Sequence, residues 1–187
     1  MMKDIFIKAM KKNPVIAAVK KTEKIEEAAA SDCTVVFILC GDIFNLKEMV
    51  EKAKAKNKLV FIHVDLIDGF SRDSVALKYI AEEIKPDGII STKNSQLKAA
   101  RQLDLLTVQR LFIIDSLSIE TTVRASASIE PDAVEIMPGI MPKITKRLSA
   151  ELSVPVIVGG LISEKEDIEN AIKSGAKGVS TSDNELW

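Results

Sequence analysis

Histidine is nearly missing from this chain: His63 stands alone among 187 residues. One imidazole and two cysteines provide no zinc-site spacing, and no Gly-rich Walker or dinucleotide fingerprint occurs, so neither a metal nor a nucleotide cofactor is expected. The two cysteines, Cys33 and Cys40, border one apolar run. If that run is a strand, its rise of about 3.3 Å per residue holds them beyond disulfide reach. Free thiols in a reducing cytoplasm are the expectation. Aromatic residues make up 4% of the chain, too few for a stacking platform of the RNA-recognition kind. Neither sign of charge is in excess, with 26 Lys+Arg against 27 Asp+Glu, so any nucleic-acid partner needs a local basic patch. No apolar stretch reaches the roughly 18 residues that span a bilayer. The opening Met1-Met2-Lys3-Asp4 has none of the apolar length of a signal peptide. A cytoplasmic protein with no membrane partner is expected.

What the chain does have is a regular rhythm. At 47% hydrophobic and 28% charged it can bury one sizeable core, and its length suits a single domain over 1–187. Short apolar runs, mostly rich in β-branched residues, recur at 15–19, 35–39, 59–66, 88–92, 108–114, 133–137, 154–158 and 178–181, which predicts strands. Stretches with helical spacing lie between them, at 22–30, 45–56, 74–84, 95–103, 118–128, 141–152 and 165–174. Lys85-Pro86-Asp87-Gly88, Glu130-Pro131-Asp132-Ala133 and Ser174-Gly175-Ala176-Lys177-Gly178 read as helix exits into the next strand. Eight strands with seven connecting helices predict an α/β fold, a compact (β/α)8 TIM-type barrel. Only Asp183 to Trp187 follow the last strand, so the final helix is expected to be reduced or missing. The helical pattern at 4–12 predicts a cover for a barrel end or side. A doubly wound open sheet is the alternative architecture.

In such a barrel, function belongs to the loops after the strands. Strand seven exits through Gly159-Gly160 and strand eight through Ser180-Thr181-Ser182. Glycines let backbone N–H groups approach an anion, and the hydroxyls add donors, so these five residues are the predicted phosphate site. Alternation puts His63 and Asp65 on one face of strand three, opposite an all-aliphatic face. The polar face then points into the barrel, as ligand contacts or as a structural pair. Glu135 in strand six needs a buried partner, with Lys93, Arg110 and Lys20 as candidates. The resulting network is a polar floor under a ligand or a purely structural device. Asp115 and Ser116 suit a helix N-cap as well as a ligand. Basic residues after strand six, Lys143, Lys146 and Arg147, together with Arg124, form the candidate patch for RNA phosphates.

Several phrases in combination resemble one family. They are His63-Val64-Asp65-Leu66-Ile67-Asp68-Gly69, Gln109-Arg110-Leu111-Phe112-Ile113-Ile114-Asp115-Ser116, Glu135-Ile136-Met137-Pro138-Gly139, Val158-Gly159-Gly160-Leu161-Ile162 and Ser180-Thr181-Ser182. The chain resembles, over residues 14–187, the glycerol-3-phosphate-responsive antiterminators of bacterial glycerol operons. The resemblance implies a regulator rather than an enzyme, one that binds glycerol 3-phosphate and acts on the leader mRNA of glycerol genes. It also implies that Gly159, Gly160, Ser180, Thr181 and Ser182 hold the phosphate. Facing and depth then place Asp65, Lys93 and Glu135 toward the glycerol moiety, with His63 and Arg110 among the polar contacts. A barrel enzyme on a small sugar phosphate, such as an isomerase, aldolase or epimerase, is the competing reading. Catalytic residues are not assigned, and the sequence leaves self-association into a homo-oligomer open.

Overall fold

β-Branched runs flanked by turn residues leave each segment little choice but an extended conformation. In the computed structural model, which describes residues 2–187, these runs become β1 (Val15–Val19), β2 (Val35–Ile38), β3 (Leu59–His63), β4 (Gly88–Ser91), β5 (Leu106–Phe112), β6 (Ala133–Met137), β7 (Val156–Gly159) and β8 (Gly178–Thr181). Neighbours pair in parallel and in chain order, and β8 returns to β1 through Val15–Val179, Ile16–Ser180 and Ala17–Thr181. The sheet is therefore a closed (β/α)8 barrel, and the open-sheet alternative is excluded.

Helix α1 (Met2–Lys12) precedes the barrel. The helices α2 (Ile25–Ala30), α3 (Leu46–Lys54), α4 (Ser74–Tyr79), α5 (Asn94–Arg101), α6 (Ser116–Ile129), α7 (Pro142–Glu151) and α8 (Lys165–Lys173) connect consecutive strands. Only a short 3-10 turn, Asn184–Leu186, follows β8. Trp187 stands beside that last strand, its indole Nε1–H donating to the Thr181 carbonyl at 2.8 Å. Among the described residues, that turn stands in the place of an eighth connecting helix.

Alternation sorts the side chains. Outward residues Val36, Ile38, Val60 and Ile62 pack with Leu46, Met49 and Val50 of α3. Inward residues Ile16, Phe37, Phe61, Ile90, Val108 and Ile157 fill the lower barrel together with Phe6 and Met10 of α1. Phe6 and Met10 are four apart, so they lie on one face of α1, while Lys3, Lys8, Lys11 and Lys12 face solvent. The Phe6 ring lies 4.6 Å from that of Phe61, centroid to centroid, and Phe61 lies 5.6 Å from Phe37. Helix α1 is therefore a stopper in the foot of the barrel, the end where the strands begin.

Several strand boundaries differ from the sequence expectation by one to three residues, and two of the differences have a plain cause. β3 stops at His63 instead of reaching residue 66, because the Leu66 N–H turns back to the His63 carbonyl at 2.9 Å. β5 begins at Leu106, two residues earlier than the apolar run, since Leu106 and Thr107 pair with Gly88 and Ile89.

Candidate ligand site at the barrel mouth

The upper layer of the barrel interior is polar, and its centre is Glu135 of β6. This carboxylate is completely buried. Register places Glu135 beside Arg110 of β5, and the Arg110 Nε–H donates to its Oε2 at 2.6 Å. The Ser180 hydroxyl of β8 donates to its Oε1, also at 2.6 Å. Of the three partners that the sequence offered Glu135, the structure selects Arg110. Removing two charges from water is costly, and a charge-assisted bond with a second donor is what makes such a pair tolerable.

Above this pair lies a small cleft of about 50 Å³. Gly160, Leu161 and Ile162 after β7, Ser180 and Thr181 at the end of β8 with Ser182 after it, Arg110, and Lys20 after β1 are among the residues that line it. The backbone there is unusual. Gly160 has φ +77, and Leu161 follows with φ +61, a left-handed conformation that costs an ordinary side chain about 1–2 kcal/mol. Among the described residues, the N–H groups of Leu161, Ile162 and Ser182 have no protein acceptor, whereas that of Gly160 belongs to the ladder that pairs Gly159 with Ser180. Successive free N–H groups on a turned backbone form an anion-binding concavity. Gly159 is required for close approach: a Cβ there would sit 2.2 Å from the Ser180 hydroxyl and 2.8 Å from Glu135 Oε1.

The three hydroxyls of the last strand are not equivalent. Ser180 is engaged with Glu135. Thr181 points to the outer side and donates to the Ile162 carbonyl at 3.0 Å, which ties the two βα turns together. Ser182 alone is exposed. The backbone, rather than the Ser-Thr-Ser hydroxyls, therefore supplies most of the free donors.

Other predicted contacts stand outside the cleft. Asp65 accepts from the Ser91 hydroxyl at 2.9 Å and from the Thr92 N–H at 2.8 Å, which bridges the exits of β3 and β4. Burial works to raise its pKa, but those donors and nearby His63 outweigh it and hold the carboxyl below the usual value. His63 lies 3.8 Å from Asp65, measured from Nδ1 to Oδ2, and that nitrogen has no hydrogen-bond partner. Burial, with the Arg110 charge second, pushes its pKa down to about 4, so the imidazole is neutral at pH 7. Lys93 is the residue before α5, and its N–H bonds the Ser91 hydroxyl at 3.0 Å; it does not line the cleft. Asp115 resolves as a helix cap, accepting the Ser118 N–H at 2.8 Å in a reciprocal capping box. Arg124 and Arg147 meet across the α6–α7 groove together with Glu120 and Glu151, and Arg147 is paired with Glu151 at 2.8 Å. Lys143 and Lys146 are exposed on α7. Among the described residues, no group of three His, Cys, Asp or Glu side chains could hold a metal ion.

The sequence reading offered Lys20 only as a partner for Glu135 beneath a ligand, and it did not single out Leu161. Leu161 carried no signal, because nothing in a leucine announces a left-handed φ.

The model of the family described as "Glycerol-3-phosphate responsive antiterminator" matches residues 15–187. The chain belongs to this family. A crystallised member-like protein, the glycerol uptake operon antiterminator regulatory protein of Listeria monocytogenes, superposes with a TM-score of 0.88 at 36% identity, covering 94% of this chain and 95% of that one. A glycerol uptake operon antiterminator-related protein of Thermotoga maritima gives a TM-score of 0.81 at 29% identity, covering 92% and 96%. The uncharacterized protein YgcP of Escherichia coli is 40% identical over 178 residues, which are 95% of this chain and 93% of that protein. The strand-exit phrases that suggested the antiterminators thus lie in a chain that matches their family almost throughout.

Proposed function

We propose that this chain is a glycerol-3-phosphate-binding transcription antiterminator of the cytoplasm that acts on the leader mRNA of glycerol-metabolism genes. The observation that carries this reading is the cradle of free N–H groups at Leu161, Ile162 and Ser182, next to Lys20 and Arg110. A dianion satisfies these donors together, with Lys20 to offset its charge and Arg110, shared with Glu135, beneath it. The cleft has room for a phosphoryl group. The glycerol part extends toward His63 and Asp65, whose orphaned Nδ1 and Oδ1 suit hydroxyl partners.

The proposed action is regulatory rather than catalytic. The single imidazole is buried and neutral, and Asp65 is engaged by three donors from Ser91 and Thr92, an arrangement that favours holding over proton transfer. Ligand control of RNA binding requires linkage: glycerol 3-phosphate must bind more tightly to the conformation that RNA prefers.

Calorimetry with glycerol 3-phosphate, followed by a leader-transcript shift with and without it, tests the reading. Saturable heat without turnover and a ligand-dependent shift are expected. Turnover of the ligand would favour the enzyme, and ligand binding with no effect on any RNA would end the antiterminator proposal.

A further inference from the structure

A large cavity lies at the opposite end of the barrel from the mouth. It is a groove of about 610 Å³ between α1 and the turns that lead into β7 and β8. Such a volume falls within the ordinary range of ligand sites. Its floor is apolar, with Ile7 of α1, Leu152 and Val154 before β7, and Ile172 of α8. Lys3, Lys11 and Lys177 stand on its rim. Among the described residues, Lys11 and Lys177 make no ion pair, and Lys3 reaches Asp132 only at 3.7 Å. The Ser149 hydroxyl lies in the wall, inaccessible to solvent and without a hydrogen-bond partner.

An apolar slot beneath unneutralised ammonium groups discriminates among occupants. A purely apolar segment would strand the lysines, and a bare polyanion would gain nothing from the floor. A single-stranded nucleotide offers both parts: an unstacked base with a flat apolar face and hydrogen-bonding edges, and phosphates on either side. We infer that this groove is where the protein holds single-stranded RNA, with one splayed base against the floor and neighbouring phosphates on Lys11 and Lys177. The inference rests on the RNA-binding reading above and names a surface for it. The α6–α7 patch is the weaker candidate, because Glu120 and Glu151 sit among its arginines.

The position also supplies a route for control. Lys177 immediately precedes β8, whose head carries Ser180, and Pro155 immediately precedes β7, which ends at Gly159. The proposed RNA groove and the anion cradle are thus the two ends of the same pair of strands. A four-residue strand separates those ends by only about 13 Å.

The test is a fluorescence titration of a labelled 12-mer oligouridine and of the leader transcript, at several salt concentrations, against the full chain and two variants. K11E/K177E is expected to weaken both RNAs at least tenfold and to reduce the salt slope by about 1.4, the contribution of two phosphate contacts. Its melting temperature and its affinity for glycerol 3-phosphate should match the unmodified chain. R124A/K146A/R147A should change RNA affinity less than twofold. Unchanged leader affinity in K11E/K177E overturns the groove while leaving the antiterminator reading intact. Tight binding of dodecanoate with no binding of either RNA overturns it in favour of an apolar anion. Failure of the unmodified chain to shift any leader transcript sinks the RNA reading, and the groove with it.

Discussion

At its foot the barrel interior is hydrocarbon, with Phe6 on Phe61 and Phe61 against Phe37. A few ångströms higher the same interior holds a buried ion pair, Arg110 with Glu135, and a serine hydroxyl turned onto the carboxylate. The lower half gains from every methylene removed from water. The upper half offsets a desolvation cost with bonds that a ligand could contest. Stability is therefore concentrated below, and the capacity to respond to an anion above. The two halves should fail differently when altered.

The largest effect is expected at the foot. Phe6→Ala should cost about 3–5 kcal/mol, as other buried Phe truncations do, while leaving the mouth intact. Denaturant unfolding with parallel calorimetry of glycerol 3-phosphate checks this; a comparable loss of ligand affinity would erase the distinction between the halves. Glu135→Gln should cost about 3 kcal/mol, because it leaves Arg110 buried without its counter-charge. It should also tighten phosphate binding, since the guanidinium is freed to face the dianion. Weaker binding in that variant would mean that Glu135 orients Arg110 for the ligand rather than competing for it.

The next contrast is with pH. The unfolded His63 takes a proton near its ordinary value of 6.5, whereas the folded one does so near 4. Between those values the unfolded state binds more protons, so His63 favours the fold fully above pH 6.5 and loses that contribution as pH falls to 4. The difference amounts to at most about 3 kcal/mol. His63→Gln should flatten the melting-temperature profile across that window, and parallel profiles for the two proteins would contradict the burial argument. The smallest effect belongs to the cradle backbone. Leu161→Gly should raise stability by about 1 kcal/mol by removing the left-handed penalty, and thermal melts suffice to detect it.

Legibility in the sequence followed the same division. Strands built on aliphatic alternation were readable, because burying one face fixes register and direction together. The ends of β3 and β5 were not, since a turn bond from Leu66 and pairing to Gly88 decide them, and both are tertiary facts. At the mouth, Gly159-Gly160 and Ser180–Ser182 were readable by position alone. What each hydroxyl does was hidden: Thr181 bonds Ile162 and Ser180 bonds Glu135, which depends on how neighbouring strands stagger around the barrel. The choice of Arg110 over Lys93 as the partner of Glu135 has the same origin, because β5 is the strand that pairs with β6.

With α1 seated in the foot, the barrel is closed below, and the cradle opens at the mouth. A ligand in the cradle lies beside Lys20 and Leu161. Any macromolecule resting over that rim would lengthen the ligand's residence without touching it, so the dissociation rate, more than the equilibrium affinity, is the quantity through which such a cover would make itself felt.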